Sequence, residues 1–160
     1  MFGRKADEKP SPIYPCDMVE GALAMMGEQL RLLEIEIRAG DRPDPCPLVV
    51  GHQVQVEQVI LNLLTNARDA IESNSDLQER WIRLAVEIVD SESVAIIVED
   101  SGGGISDNII ERIFEPFYTT KKMGQGTGLG LSVSYGIIRD MGGNIIASNG
   151  DLGARFTITL

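Results

Sequence analysis

At 160 residues the chain reads as one domain, long enough to bury a sizeable core without disulfide or metal staples. Its formal net charge is −10, with 14 scattered Lys and Arg against 24 Asp and Glu. That argues against a nucleic-acid surface, which needs clustered basic side chains. No apolar run approaches the ~20 residues of a membrane span, and the charged opening MFGRKADEKP lacks the apolar core of a signal peptide. A soluble cytoplasmic chain without direct membrane contact is expected.

Residues 1–15 mix charge with Pro10, Pro12 and Pro15, which predicts an extended lead-in rather than a helix. Asp17 is the expected N-cap of a helix running to Leu32, with Val19, Leu23, Met26 and Leu30 at helical spacing. Leu33 to Arg38 alternates apolar and charged residues as a half-buried strand does, and AGDRPDPCP is a loop. A short strand around Leu48 to Val50 follows. Cys16 and Cys46 lie in different segments without metal-ligand spacing, so reduced thiols are expected; the spacing lends no support to a disulfide.

The helix predicted over Gln53 to Ser73 is the most informative regular element. At 100° per residue, Val56, Val59, Ile60, Leu63, Ala67, Ala70 and Ile71 share one face, while Gln58, Asn62, Asn66 and Asp69 share another. Asparagine is a poor helix-interior residue because its side chain competes for backbone hydrogen bonds. Two of them four apart therefore point to a strip of oxygen and amide groups for a ligand and a hard cation such as Mg²⁺. His52, the one histidine, precedes this helix and reads as a structural or capping residue.

Trp81 to Val89 and Val94 to Glu99 are strand-like runs separated by DSES, which is a hairpin signal. The second run ends in Asp100-Ser101-Gly102-Gly103-Gly104-Ile105. A carboxylate placed before glycines can accept from an exocyclic amine while the backbone approaches closely. Ser106 is the expected cap of a short helix to Arg112. Phe114, Pro116, Phe117 and Tyr118 then form an aromatic hinge before Thr119 to Gln125, a segment suited to covering a ligand. The stretch Gly124 to Gly136, GQGTGLGLSVSYG, bares several amides at the start of a helix predicted from Leu129 to Met141. Free N–H groups and the positive helix end favour a phosphate there. Gly142-Gly143 suits the helix stop, and Asn144 to Ser148 and Arg155 to Leu160 read as closing strands. No Walker-type G-x-x-x-x-G-K-[ST] occurs, and the glycine spacing is not that of a dinucleotide fold.

These residues closely resemble the ATP-binding catalytic domain of bacterial sensor histidine kinases, in the superfamily that also holds gyrase, mismatch-repair and chaperone ATPases. The resemblance covers about Asp17 to Leu160. It rests on QVILNLLTNARDAI (58–71), Asp100 to Gly104, IFEPFYTTK, GQGTGLGL and Gly153 to Thr157 taken in this order. The short TTKKMGQ segment is most similar to the nitrogen-regulator type of kinase. The resemblance implies an α/β two-layer sandwich, with a mixed sheet of about five strands and three main helices on one face, the Bergerat-type ATP-binding fold. Residues 1–15 would be a linker from a dimerisation helix, and 16–160 the ATP-binding domain, monomeric in isolation.

Carried over by position, the resemblance implies ATP and Mg²⁺ as ligands, with Asn66 on the metal and Asn62 near the phosphates. Asp100 would bind the adenine amine, with Gly102, Gly104 and Thr157 shaping the adenine pocket. Gly126, Thr127, Gly128, Leu129 and Gly130 would lie at the triphosphate, and Thr119 and Lys121 at the outer phosphates. Many relatives carry a basic residue where this chain has Asp69, which leaves Arg68 or Lys121 to balance the γ-phosphate charge. The implied reaction is transfer of the γ-phosphoryl group to a histidine on a separate dimerisation domain, then to a response-regulator aspartate. An anti-sigma-type serine kinase or a nucleotide-dependent interaction module on the same fold is the alternative expectation.

Overall fold

The computed structural model describes residues 9–116 and 130–160. In chain order these form β1 (Ser11–Ile13), α1 (Pro15–Leu32), β2 (Glu36–Ala39), β3 (Val49–Gly51), α2 (Gln53–Glu72) and β4 (Trp81–Ile88). Then follow β5 (Val94–Asp100), α3 (Asp107–Ile110), α4 (Gly130–Asp140), β6 (Asn144–Asn149) and β7 (Ala154–Thr159). Five strands make one sheet in the order β2-β4-β5-β7-β6, in which only β2 and β4 run parallel. β1 and β3 form a separate antiparallel pair. The expected mixed five-stranded sheet is present, and β1 lies inside the span expected to be a linker.

The period of two along β5 decides where the site lies. Val94, Ile96, Val98 and Asp100 share one face of the sheet, and the register sets Ile82 opposite Asp100, Leu84 opposite Val98 and Val86 opposite Ile96. The apolar members of this row join one core with Val19 and Leu30 of α1, Val56, Ile60, Leu63 and Ile71 of α2, and Ile138 of α4. The three long helices therefore cover one face of the sheet, and Asp100 stands at the end of a buried apolar row.

Local chemistry moves several expected boundaries. α1 starts at Pro15, whose fixed φ suits the first helical turn, with Tyr14 as N-cap. Asp17 therefore sits in the first turn and favours the positive helix end by its charge, not as the expected cap. The strand expected from Leu33 begins only at Glu36. The intervening residues close the helix: Ile35 N–H donates to Leu30 O at 2.9 Å, and Glu34 takes φ +60°. Gly142, at φ +82°, ends α4 as expected.

Cys16 and Cys46 are joined in a disulfide with Cα atoms 6.2 Å apart, linking the start of α1 to the loop between β2 and β3. This corrects the expectation of free thiols. Residues 30 apart in sequence meet because β3 returns to pair with β1, immediately before Cys16. No helix among the described residues is long and apolar enough to cross a membrane.

Candidate functional site

Asp100 ends β5, the middle strand of the sheet, and is 3% exposed. Its Oδ1 accepts the Gly102 N–H at 2.7 Å, and the Ala154 N–H bonds the same carboxyl. Burial pushes the Asp100 pKa up to about 6 against these two donors, and the neighbouring Glu99 charge adds to the rise. A desolvated carboxylate held by backbone amides is, when ionised, a strong acceptor for an N–H of a bound base.

The chain around Asp100 is shaped by close approach. Ser101 Oγ accepts the Trp81 N–H at 2.8 Å and the Ser101 N–H donates to Trp81 O at 3.1 Å, so the β4–β5 pairing continues one residue past the carboxylate. A Cβ on Gly102 would lie 2.8 Å from Ala70 Cβ and 2.9 Å from Asp100 Oδ1. One on Gly153 would overlap the Asp100 carbonyl. Gly103 and Gly104 adopt φ of +104° and +87°, in the left-handed region that other residues rarely enter.

The contact between Ala70 and Gly102 sets α2 against this loop. Asn66 precedes Ala70 by one turn and Asn62 by two, so the three share a stripe that runs along the helix from the Asp100 loop. At the other end of that stripe Asn62 Nδ2 donates to Ser134 Oγ of α4 at 3.1 Å. α4 begins at Gly130, within the glycine-rich motif GQGTGLGL. The contacts thus place Asp100 and Gly102 against α2 at Ala70 and tie Asn62 to α4, with Asn66 one turn from each on the helix, while Gly104 faces Asn149. Phe114, the first residue of the expected aromatic hinge, packs with ring centroids 5.3 Å from Tyr135 and 6.3 Å from Phe156.

Two expectations change. Thr157 pairs with Ile97, so it shares the sheet face of Ile97 and Glu99, opposite to Asp100. The structure therefore does not bring Thr157 to the Asp100 cleft; its neighbour on β7 that reaches Asp100 is Ala154, through a backbone N–H. Arg68 is committed elsewhere: its Nε and Nη2 donate to Asp69 Oδ1 at 3.1 and 3.0 Å, and its Nη1 to Gln29 Oε1 at 2.7 Å. Thr119, Lys121, Gly126, Thr127, Gly128 and Leu129 lie outside the described residues, as do Phe117 and Tyr118.

Sequence reasoning missed Ala154 and Ser101 because both act through backbone or turn geometry that no side-chain pattern announces. The glycine at 153 was the available signal for the first. His52 stands at the N-cap of α2, where its carbonyl accepts the Val56 N–H at 3.0 Å.

Comparison with known proteins places these elements in a family. Residues 51–160 match the model described as "Histidine kinase-, DNA gyrase B-, and HSP90-like ATPase". The two-component sensor PprA of Pseudomonas aeruginosa is 46% identical over 161 residues, covering 100% of this chain and 17% of that sensor. The chain thus spans only about a sixth of the length of that relative. Among solved structures, the catalytic domain of histidine kinase ThkA superposes with a TM-score of 0.82 at 28% identity, covering 96% of this chain and 95% of that one. A complex of histidine kinase ThkA with the response regulator protein TrrA matches with a TM-score of 0.76 at 26% identity, covering 94% of this chain and 41% of that one.

Proposed function

This chain belongs to the histidine kinase-, DNA gyrase B- and HSP90-like ATPase family, as a catalytic domain of the sensor histidine kinase type, and from that premise we propose that it holds ATP·Mg²⁺ for transfer of the γ-phosphoryl group to a histidine on a separate dimerisation domain. A response-regulator aspartate is the next acceptor, in keeping with the ThkA–TrrA pairing. The reading extends to a cytoplasmic setting, to a domain monomeric in isolation, to residues 1–15 as the linker from that dimerisation domain, and to the nitrogen-regulator type of kinase.

The observation that carries the proposal is the buried Asp100 cradle and its contact with α2. Asp100 accepts the adenine amine, while Gly102 and Gly153 let the backbone close around the base. Asn66, one turn from the Gly102 contact, supplies the single protein oxygen that suits Mg²⁺, an ion that takes most of its ligands from water and substrate phosphates. The glycines before α4 receive the triphosphate on bared amides at the positive helix end. Lys121 and Thr119 contact the outer phosphates. Lys121 balances the γ-phosphate charge, since Arg68 is already bound to Asp69 and Gln29. The protein's contribution to such a transfer is positioning and charge stabilisation.

The test uses γ-labelled ATP, this chain and a separate sensor-kinase dimerisation domain. Label in an acid-labile, base-stable bond on the acceptor histidine is the expected result. Label in acid-stable linkage on a serine of a partner would move the chain to the serine-kinase alternative.

A further inference from the structure

We propose that Asn149, at the end of β6, is a positioning residue that holds the first glycine loop in its base-binding shape; the inference rests on the nucleotide reading above. Asn149 Oδ1 accepts the Ile105 N–H at 2.7 Å, and Asn149 Nδ2 donates to the Ile105 carbonyl at 2.7 Å. Its amide thus pairs with both backbone groups of one residue, as a neighbouring strand would.

The pairing falls where the loop most needs support. Ile105 directly follows Gly103 and Gly104, both in the left-handed region and both free of side chains that could restrict them. Glycine backbone has the most conformational freedom to lose when a ligand orders it. A tie at Ile105, with the Gly103 N–H to Leu152 O bond at 3.0 Å, removes that freedom before the ligand arrives. The same β6–β7 turn delivers the Ala154 N–H to Asp100, so one hairpin end grips the carboxylate and the glycine loop together. An open cleft of about 590 Å³ lies between the two loops, with Gly104 and Asn149 on its wall. A Cβ on Gly104 would crowd Asn149 Oδ1 at 3.0 Å, in a backbone conformation that already strains other residues.

The clamp acts on the base-reading loop and touches no group assigned to the phosphates, so its loss should affect base recognition selectively. The experiment measures ATP and GTP affinities by calorimetry for the unmodified chain, Asn149→Ala and Asn149→Asp, with hydrogen exchange at the Ile105 amide. Asn149→Ala should weaken ATP binding by about fivefold, from the cost of ordering a loop no longer held in place, narrow the preference for ATP over GTP, and speed Ile105 exchange. Asn149→Asp keeps the acceptor for the Ile105 N–H, so it should retain slow exchange and fall between the two; it also serves if the alanine variant does not fold. ATP affinity and base preference unchanged in a folded variant, or ATP and GTP weakened by the same factor, would overturn the clamp while leaving nucleotide binding intact. Absence of ATP binding by the unmodified chain would instead bring down the nucleotide reading, and the clamp's role with it.

Discussion

Asp100 joins the folding problem to the binding problem. Its carboxyl has a pKa of 3.8 when unperturbed and about 6 in the fold, chiefly because burial disfavours the charged form. For stability the sign follows directly. The folded state holds the proton more tightly, so the Asp100 contribution is fully present below pH 3.8 and is lost as pH rises through about 6, at a cost of about 3 kcal/mol. For the ligand the sign is opposite, because the ionised form is the better acceptor. ATP affinity should fall as pH drops from 7.5 to 5.5, and Asp100→Asn should weaken binding about ten- to a hundredfold at pH 7.5. The Asn variant is also the reference for the nucleotide's own titration: an identical pH profile in both proteins would show that the carboxyl does not face the ligand. The residue was legible as a carboxylate before glycines. Its burial was not, because only the register against β4 reveals that Asp100 continues the buried row of Ile96 and Val98.

At the scale of elements, α2 was legible from end to end because two periodicities coincide on it, an apolar face and an amide stripe. The β4–β5 hairpin was legible for a similar reason, its polar turn interrupting two β-branched runs. What pattern could not supply was non-local order. β7 inserts between β5 and β6, and β1 pairs across α1 with β3. A proline-rich segment hides a strand when, like β1 around Pro12, it has a partner on only one side. The face of Thr157 was hidden by the same blindness, since one residue along a strand turns a side chain to the side opposite Asp100. The disulfide is another non-local event, and it has a measurable consequence. Closing a 30-residue separation between α1 and the β2–β3 loop should stabilise the fold by about 3–4 kcal/mol through loss of unfolded-state freedom. Thermal melts with and without reductant, compared with Cys16→Ser, check this; coincident melts for oxidised and reduced protein would remove the staple from the account.

As a whole, the described residues form a sheet with one face committed to a helical layer and an open cleft between the first glycine loop and the β6–β7 turn. The acidic surface fits this arrangement. With a net charge of −10 the fold does not draw a polyanion by its overall field, so the proposed binding of an anionic nucleotide has to come from local amides, a helix end and a metal ion. Asn66 is where that argument is most exposed. The central measurement is a calorimetric titration of ATP with and without Mg²⁺ into the unmodified chain and into Asn66→Ala. The account predicts Mg²⁺-strengthened ATP binding by the unmodified chain and loss of that strengthening in the variant. No binding by the unmodified chain, or an Asn66→Ala variant whose binding responds to Mg²⁺ undiminished, would contradict it.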